Sequence, residues 1–239
     1  MNPTNHASDP LHVSEFPDAE ALERLLSGRY SCRGFVHNPV PRAVIDKILS
    51  LSQKTASWCN SQPWQVIVTS GKATDRYREA LLQDIEKDPP QPDIPFPREY
   101  RGVYLERRRE CGFQLYDSVG IARGDREASA RQGRENFRFF GAPHAAIVTN
   151  DEALGTYGAV DCGAYVANFT LAARAFGVAS IAQAAIASRS RFIKDHFKLS
   201  DDRQVVCGIS FGYEDPVHRA NRFRTRRAPL DQIVTLIEE

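Results

Sequence analysis

The chain has 239 residues, 42% of them hydrophobic, and a formal net charge of +1 at pH 7. Its length allows one domain with a substantial core, or two small domains. The balanced charge gives no net field that would attract nucleic acid or an anionic membrane. No apolar run approaches the ~20 residues that a membrane helix needs, so we expect neither kind of partner.

The cysteines and histidines argue against a disulfide framework and a metal site. The five cysteines are odd in number and lack C-x-x-C spacing, which favours a reducing cytoplasm. The six histidines are scattered, without an H-E-x-x-H motif, and we expect no metal. No G-x-G-x-x-G follows a strand and no P-loop motif is present. A nucleotide-like cofactor would therefore have to be held at its phosphate by side chains.

The N-terminal part of the chain is predicted to be mostly helical. Residues 1–17 are polar and lack an apolar signal core, so we expect a flexible arm there. Acidic residues, spaced leucines and a closing glycine predict a short helix over residues 18–28. Pro41 suits the first turn of a second helix. A buried strand is expected at residues 64–69 and a helix at residues 72–86.

The rest of the chain mixes helices with short strands. Five prolines preclude regular structure in residues 88–97, and two charged helical segments follow at 98–121 and 126–140. The remaining predicted elements are a strand at 144–149, a central buried helix at 157–176, a helix from Ser188 to about Lys198, a strand at 205–211 and a terminal helix or extension at 229–238. Without regular βαβ spacing, this order favours an α+β fold over a doubly wound sheet.

A loop at residues 56–64 contains both tryptophans of the chain. Asn60 and Gln62 add hydrogen-bond donors and acceptors, and loops commonly present binding groups on a rigid scaffold. The alternative interpretation is a well-packed turn in which Trp64 opens a strand and is buried. The loop alone does not decide between the two.

Two basic segments are candidates for binding a phosphate. Arg29, Ser31 and Arg33 alternate, so in an extended segment all three face one side. Two guanidinium groups and a hydroxyl on one side can bind a phosphate. The alternatives are a solvated basic turn here and an exposed basic tail at residues 224–227, and the residues themselves leave both open.

Taken in order, these segments resemble the FMN-dependent nitroreductase family, and within it the reductases of nitrobenzoate and other nitroaromatics. The resemblance covers roughly residues 20–237. The matching pieces are Arg-x-Ser-x-Arg at 29–33, Pro-Val at 39–40, Asn-x-Gln-Pro-Trp at 60–64, Asn136 with Gly-Ala-Pro at 141–143, Gly177 with Gln-Ala-Ala at 183–185, Gly-Ile-Ser-Phe-Gly-Tyr at 208–213 and the basic segment 224–230.

The family resemblance implies a fold and an assembly. It implies a mixed, mostly antiparallel sheet flanked by helices, in an intertwined homodimer. Residues 18–239 would form a single FMN-binding domain, and residues 98–140 would be its substrate lid.

The resemblance also implies the residues that contact FMN. In the family, the early and late basic segments converge on the phosphate, and the loop at 56–60 reaches the flavin of the partner subunit. Arg33 would place a cation near N1, and the backbone N–H of Ala184 would face N5. Arg226 stands where the family motif does not require a base. The implied cofactor contacts are Arg29, Tyr30, Ser31, Arg33, Ala56, Ser57, Trp58, Asn60, Asn136, Gln183, Ala184, Ala185, Arg224 and Arg227.

The activity implied by the resemblance is reduction of a small aromatic nitro compound. NAD(P)H would reduce the flavin and leave, and the nitro compound would then take two electrons at a time in a ping-pong sequence, first to the nitroso compound and then to the hydroxylamine, without a catalytic side chain. Trp58, Phe113, Tyr116 and Phe137 are the candidate substrate contacts. Alternatives with the same fold and cofactor are enone reduction, reductive dehalogenation and azoline oxidation, and a non-catalytic flavin-binding protein is a further one.

Overall fold

The computed structural model describes residues 15–238 of the chain. Its sheet contains β1 (Gln65–Ser70), β2 (His144–Asp151), β3 (Ala179–Gln183) and β4 (Arg203–Gly212), in the order β1-β2-β4-β3. All pairings between these strands are antiparallel. Parallel pairing occurs among the described residues only as an isolated bridge between Ser31 and Ser180. The α+β class is thus confirmed. The sheet is more uniformly antiparallel than the expected mixed, mostly antiparallel sheet.

Eight α-helices surround the sheet in the described part of the chain. They are α1 (Pro17–Gly28), α2 (Arg42–Ser52), α3 (Lys72–Lys87), α4 (Gly102–Ser118), α5 (Arg126–Arg134), α6 (Gly155–Ala175), α7 (Ala184–Ala187) and α8 (Ser190–Phe197). Pro17 already belongs to α1, because the fixed φ of proline suits the first helical turn. The predicted flexible arm therefore ends one residue too late, and its residues 1–14 lie outside the described residues.

The core lies on both faces of the sheet, because successive strand residues point to opposite sides. Ala145 and Ile147 of β2 pack on one face with Tyr77 and Leu81 of α3 and Ile193 of α8. The alternate β2 residues at 146 and 148 pack on the other face, with α2 and α6. The first seven residues of β2 are buried, as expected for a strand covered on both sides.

Helix α6 is less buried than predicted. Phe169, Cys162 and Tyr165 are buried against the sheet, but Tyr157 is 61% exposed and Val160 is 58% exposed in the protomer. The predicted central helix is therefore buried on one face in the protomer and exposed on the other. The uniformly apolar sequence of α6 did not distinguish the face that packs on the sheet from the face that this protomer leaves uncovered.

Two other predicted elements differ in detail. The hydroxyl of Ser188 donates to the carbonyl of Ala185, so Ser188 closes α7 instead of capping α8, which begins at Ser190. The C-terminal segment contains only a short 3₁₀ turn, Leu230–Gln232, and is otherwise an irregular extension.

The proline-rich segment 88–97 has no regular structure, and hydrogen bonds of Asp93 hold it against the rest of the protein. The Asp93 carboxylate accepts hydrogen bonds from Lys194 Nζ at 2.9 Å and from the Val205 backbone N–H at 2.8 Å. The Asp93 backbone N–H donates to Ser190 Oγ at 3.1 Å. These contacts fix the chain that enters α4. Within residues 15–238, no helix is both long and apolar enough to cross a membrane.

Candidate cofactor site

A cavity of about 490 Å³ opens between the end of α1, the segment at residues 29–33, α4 and the chain that follows β4. It brings together the two basic segments, which are distant in the sequence. Its polar lining includes Arg29, Tyr30, Ser31, Arg33, Cys111, Arg224, Thr225 and Arg227. This is the region that we call the phosphate cavity. Of the cofactor contacts implied by the resemblance, all six that lie in the basic segments line it.

The first basic segment is fixed to the edge of the sheet. Ser31 forms the parallel bridge to Ser180 of β3, and the Cys32 backbone N–H donates to the Ser180 carbonyl at 3.2 Å. Edge strand β3 therefore sets the direction of residues 29–33. This pairing explains why the three alternating side chains face one cavity, as their spacing predicts.

Asn221 joins the two segments that form the phosphate cavity. Its Oδ1 accepts from the Arg33 backbone N–H at 2.8 Å, and its Nδ2 donates to the carbonyls of Gly34 at 2.8 Å and Asp215 at 3.0 Å. The side chain is 6% exposed, so loss of these bonds would leave buried polar groups unpaired. Sequence reasoning missed Asn221, because its partners are backbone groups far away in the chain.

The electrostatics of the phosphate cavity favour an anion. Burial and then repulsion from Arg227 lower the pKa of Arg29, and burial lowers the pKa of Arg33. Arg224 lies over the ring of Tyr30, with its guanidinium carbon 3.5 Å from the ring centre. Within residues 15–238, none of these four arginines has a carboxylate at ion-pair distance. Clustered guanidinium groups without carboxylate partners suit a phosphate dianion.

The end of β3 carries the second group of predicted contacts. Gln183 is buried, and its Nε2 donates to the backbone carbonyl of Asn136 at 2.9 Å and to the Asn136 side-chain oxygen at 3.2 Å. Its Oε1 accepts from the hydroxyl of Ser210. The amide of Gln183 is thus occupied inside the protein, where it holds Asn136 beside the end of the strand. Ala184 is exposed and Ala185 half-buried.

Ala184 is also the first residue of α7. The first backbone N–H groups of a helix have no acceptor within it, so the N–H of Ala184 has no partner inside α7. A strand rises about 3.3 Å per residue, so Gln183 lies about 10 Å beyond Ser180. The bridge that fixes the first basic segment and the start of α7 therefore lie towards opposite ends of β3, along one edge of the sheet.

The tryptophan loop lies against α6. The Trp58 backbone N–H donates to Asp161 Oδ2 at 3.1 Å, and its ring contacts Tyr157 edge-on, with centroids 4.5 Å apart. Trp58 is 58% exposed. With Leu154, Tyr157 and Val160 it forms an uncovered area that we call the apolar patch. Ser57, half-buried, accepts from the Gln62 backbone N–H at 2.9 Å, while Ala56 and Asn60 are exposed.

Trp64 has a different role from Trp58. It is 6% exposed, stacks on Tyr165 at a centroid distance of 5.2 Å and donates from its indole N–H to Gln53 Oε1 at 2.9 Å. Burial of Trp64 at the start of β1 is therefore confirmed. One tryptophan of the loop belongs to the core, and the other is presented at the surface.

The four candidate substrate contacts do not meet in one protomer. Phe113 and Tyr116 of α4 line a cavity of about 460 Å³, where the guanidinium of Arg123 lies 4.6 Å from the Phe113 ring centre. Phe137 packs against the core, and Trp58 lies on the apolar patch. No cluster of possible metal ligands occurs among the described residues.

Comparison with known proteins places this geometry in a family. Residues 26–213 match the sequence profile of the Nitroreductase family. The chain is 35% identical over 216 residues to the nitroreductase NfnB of Mycolicibacterium smegmatis, covering 90% of this chain and 92% of that protein. It is 31% identical over 229 residues to a 4-nitrobenzoate reductase of a Nocardioides species, covering 92% of each.

A solved structure agrees with these relatives. The crystal structure of the FMN-dependent nitroreductase NfnB from Mycobacterium smegmatis, in complex with NADPH, superimposes with a TM-score of 0.88. The match is 33% identical and covers 92% of this chain and 99% of that one. The chain belongs to the nitroreductase family.

Proposed function

We propose that this protein is an FMN-dependent NAD(P)H nitroreductase that reduces small nitroaromatic compounds. The observation that carries the proposal is the phosphate cavity, in which Arg29, Arg33 and Arg227 meet without a carboxylate partner among the described residues. Relatives described as nitroreductases and an NADPH-bound structural neighbour support the same activity. In this proposal residues 18–239 form one FMN-binding domain, with residues 98–140 as the substrate lid.

Two groups of described residues, in the phosphate cavity and at the end of β3, support the binding of FMN. The two basic segments would hold the phosphate, and the backbone N–H of Ala184 would donate to N5 at the far end of β3. The separation of about 10 Å along the strand suits a ribityl chain between a phosphate and a reactive ring. Gln183 would act through Asn136, by holding its side chain beside the pyrimidine edge, since its own amide is already occupied.

In this proposal the cofactor supplies the redox chemistry, and the protein positions the reacting groups. When bound, FMN would supply two-electron transfer from NAD(P)H to the nitro compound in a ping-pong sequence. Two such rounds, using two NAD(P)H and two protons, would convert the nitro group through the nitroso compound to the hydroxylamine and water. Arg33 would place positive charge beside N1, where the reduced ring is anionic. The N–H of Ala184 would fix the position of N5, and the small side chains at 184 and 185 would let the backbone approach the ring.

We further propose that the active form is an intertwined homodimer. The apolar patch supports this assembly, because Trp58, Tyr157 and Val160 are each more than half exposed in the protomer. The loop at 56–60 lies on the patch, where a second copy would bring Ala56, Ser57, Trp58 and Asn60 to the partner's flavin. Trp58 would then join Phe113 and Tyr116 of the partner at the substrate.

The five free cysteines are in keeping with a cytoplasmic enzyme.

Spectroscopy and turnover test this function together. We expect the purified protein to be yellow, with about one FMN per chain, to bleach with NADPH or NADH under anaerobic conditions, and to regain colour on addition of a nitroaromatic. A colourless protein that takes up no FMN on titration would contradict the proposal. Bleaching without turnover of any acceptor would identify a flavin-binding protein, and turnover of enones or haloaromatics alone would identify another reaction on the same fold.

A further inference from the structure

A second cavity lies beside the phosphate cavity and shares Arg33 with it. Its volume is about 670 Å³, within the usual range for small-molecule sites. It is bounded by the end of α4, by α5 and by the 3₁₀ turn Arg219–Asn221. The charged and titratable side chains that line it are Arg33, Asp125, Arg131, Glu135, His218 and Arg219. We call it the side cavity.

Most of these charges already have partners. The carboxylate of Asp125 caps α5 by accepting from the Ala128 backbone N–H at 2.9 Å. Arg131 forms an ion pair with Glu127, and Glu135 lies 3.3 Å from Arg138 Nη1.

Arg219 differs from them. In the described part of the chain, no carboxylate lies within ion-pair distance of its guanidinium. The guanidinium lies beside the turn at Gly120, where a side-chain Cβ would be 3.9 Å from its Nη1. With Arg33, it gives the side cavity two cations that have no carboxylate partner among residues 15–238.

The turn that carries Arg219 is firmly positioned. Asn221, at its end, makes the three buried hydrogen bonds to the Arg33 segment and to Asp215. His218, just before the turn, accepts the Ala220 backbone N–H at 3.3 Å and packs so closely on Gly34 that a Cβ there would lie 2.2 Å from the imidazole. The backbone of Arg219 is therefore held at a fixed place relative to Arg33.

We propose that the side cavity binds the oxyanion of a reactant, with Arg219 as the residue that recognises it. This inference rests on the proposed function and deepens it, because the shared residue Arg33 puts the side cavity next to the flavin site. A guanidinium can bind a carboxylate or phosphate with two parallel hydrogen bonds. Two reactants could supply such a group: an aromatic acid through its carboxylate, or NADPH through its 2′-phosphate.

The test compares R219Q with the wild-type holoenzyme in two ratios of kcat/KM. The first ratio is 4-nitrobenzoate over the neutral 4-nitrobenzamide, with NADH as donor. The second is NADPH over NADH, with 4-nitrobenzamide as acceptor. Loss of one charge-assisted contact should lower one of the ratios about tenfold. A fall in the first ratio identifies the substrate carboxylate, and a fall in the second identifies the nucleotide phosphate.

R222Q is the matched control. Arg222 is an exposed arginine at the end of the same turn, and it does not line the side cavity. We expect R222Q to keep both wild-type ratios. The inference is overturned if R219Q changes neither ratio, or if R222Q changes them as much, since the effect would then be general surface charge. A wild-type protein that binds no FMN, or that reduces neither compound, overturns the proposed function as well, so the two failures are distinguishable.

Discussion

Arg226 donates two hydrogen bonds to a single oxygen of Glu110, at 2.6 and 3.0 Å, while its neighbour Arg227 lines the phosphate cavity. These two consecutive arginines thus make different contacts. Arg226 ties the C-terminal segment to α4, which accounts for a base at a position where the family motif requires none. Arg227 lies near Arg29, whose pKa it lowers by repulsion. The pair therefore offers a matched test of the phosphate cavity.

The first prediction concerns cofactor affinity. Arg29→Gln should weaken FMN binding by about 2 kcal/mol, or roughly thirtyfold, because a partly buried charge-assisted contact to the phosphate is lost. Arg227→Gln should act in the same direction. The dissociation constant can be measured from the quenching of FMN fluorescence on titration of the apoprotein.

Arg226→Gln is the control for this prediction. It removes the same charge one residue away, from a side chain that is 81% exposed and already paired with Glu110. Exposed ion pairs contribute little, so its effect on the dissociation constant should stay within about threefold. Equal effects of R226Q and R227Q would indicate that only the net charge of the segment matters, and would contradict a specific role for the phosphate cavity.

The second prediction concerns assembly. Val160→Arg should dissociate the proposed dimer, because it places an unpaired charge in the apolar patch, and obligate interfaces bury more than ~2,000 Å² of mostly apolar surface. Val217→Arg is the control, since Val217 is 71% exposed and lies outside the patch. Sedimentation velocity reports the mass of both variants. A wild-type protein that sediments as a flavin-loaded, active monomer would rule out the dimer.

Sequence spacing predicted the features that depend on local chemistry. The alternation of Arg29, Ser31 and Arg33 was sufficient to predict a common face, because a strand-like segment has a fixed two-residue period. The resemblance to a family then joined this segment to the distant Arg227. Both segments line one cavity in the structure. Strand β2 was predicted for a different local reason, since a short continuous apolar run fits a strand that is covered on both faces.

The features that spacing missed depend on tertiary contacts. Nothing near Asn221 in the sequence indicates that its amide bridges three backbone groups, and nothing near Arg219 indicates a cavity beside it. The backbone of Cys59 and Asn60 adopts positive φ values of 51° and 55°, which residue type alone does not require. Surrounding structure imposes such conformations, so they become visible only in the folded chain.

The third prediction concerns a buried hydroxyl. Tyr77 is fully buried among aromatic side chains, and its hydroxyl has no hydrogen-bond partner among the described residues. Burial also raises its pKa, so the phenol stays neutral. Removing an unpaired buried hydroxyl relieves its desolvation cost, and Tyr77→Phe should raise the free energy of unfolding by about 1 kcal/mol.

Urea denaturation of the protein without added FMN measures this change. For Tyr30→Phe we expect the opposite change, a lower free energy of unfolding, because the Tyr30 hydroxyl donates a hydrogen bond to Glu214 that this variant loses. If Tyr77→Phe instead lowers stability by more than about 1 kcal/mol, the hydroxyl must have a partner, such as a buried water, that offsets its burial.

The last prediction concerns acid stability and depends on His144. Its Nε2 accepts the Val40 backbone N–H at 2.9 Å, so this nitrogen carries no proton. Nδ1 then holds the proton and donates to Ser70 Oγ, 2.8 Å away. The side chain is 2% exposed and stacks on Phe211. A second proton would break the bond to Val40 and place a charge in the core, and burial lowers the pKa of His144 from its ordinary value of 6.5.

The direction of the pH effect follows from proton binding at His144 in the unfolded chain and in the folded protein. The unfolded chain binds a proton at this histidine near pH 6.5, whereas the folded protein binds it only at a lower pH. The stability contribution of neutral His144 is complete well above pH 6.5 and should decline as the pH falls from about 7 towards 5. His196 adds to the decline, because burial and repulsion from Arg76 lower its pKa as well. Urea midpoints across this range should fall less steeply in His144→Gln than in the wild type, although that variant is less stable at pH 7. An unchanged slope would show that the pKa of His144 is the same in the folded and the unfolded chain, against the burial of its ring and the geometry of its bond to Val40.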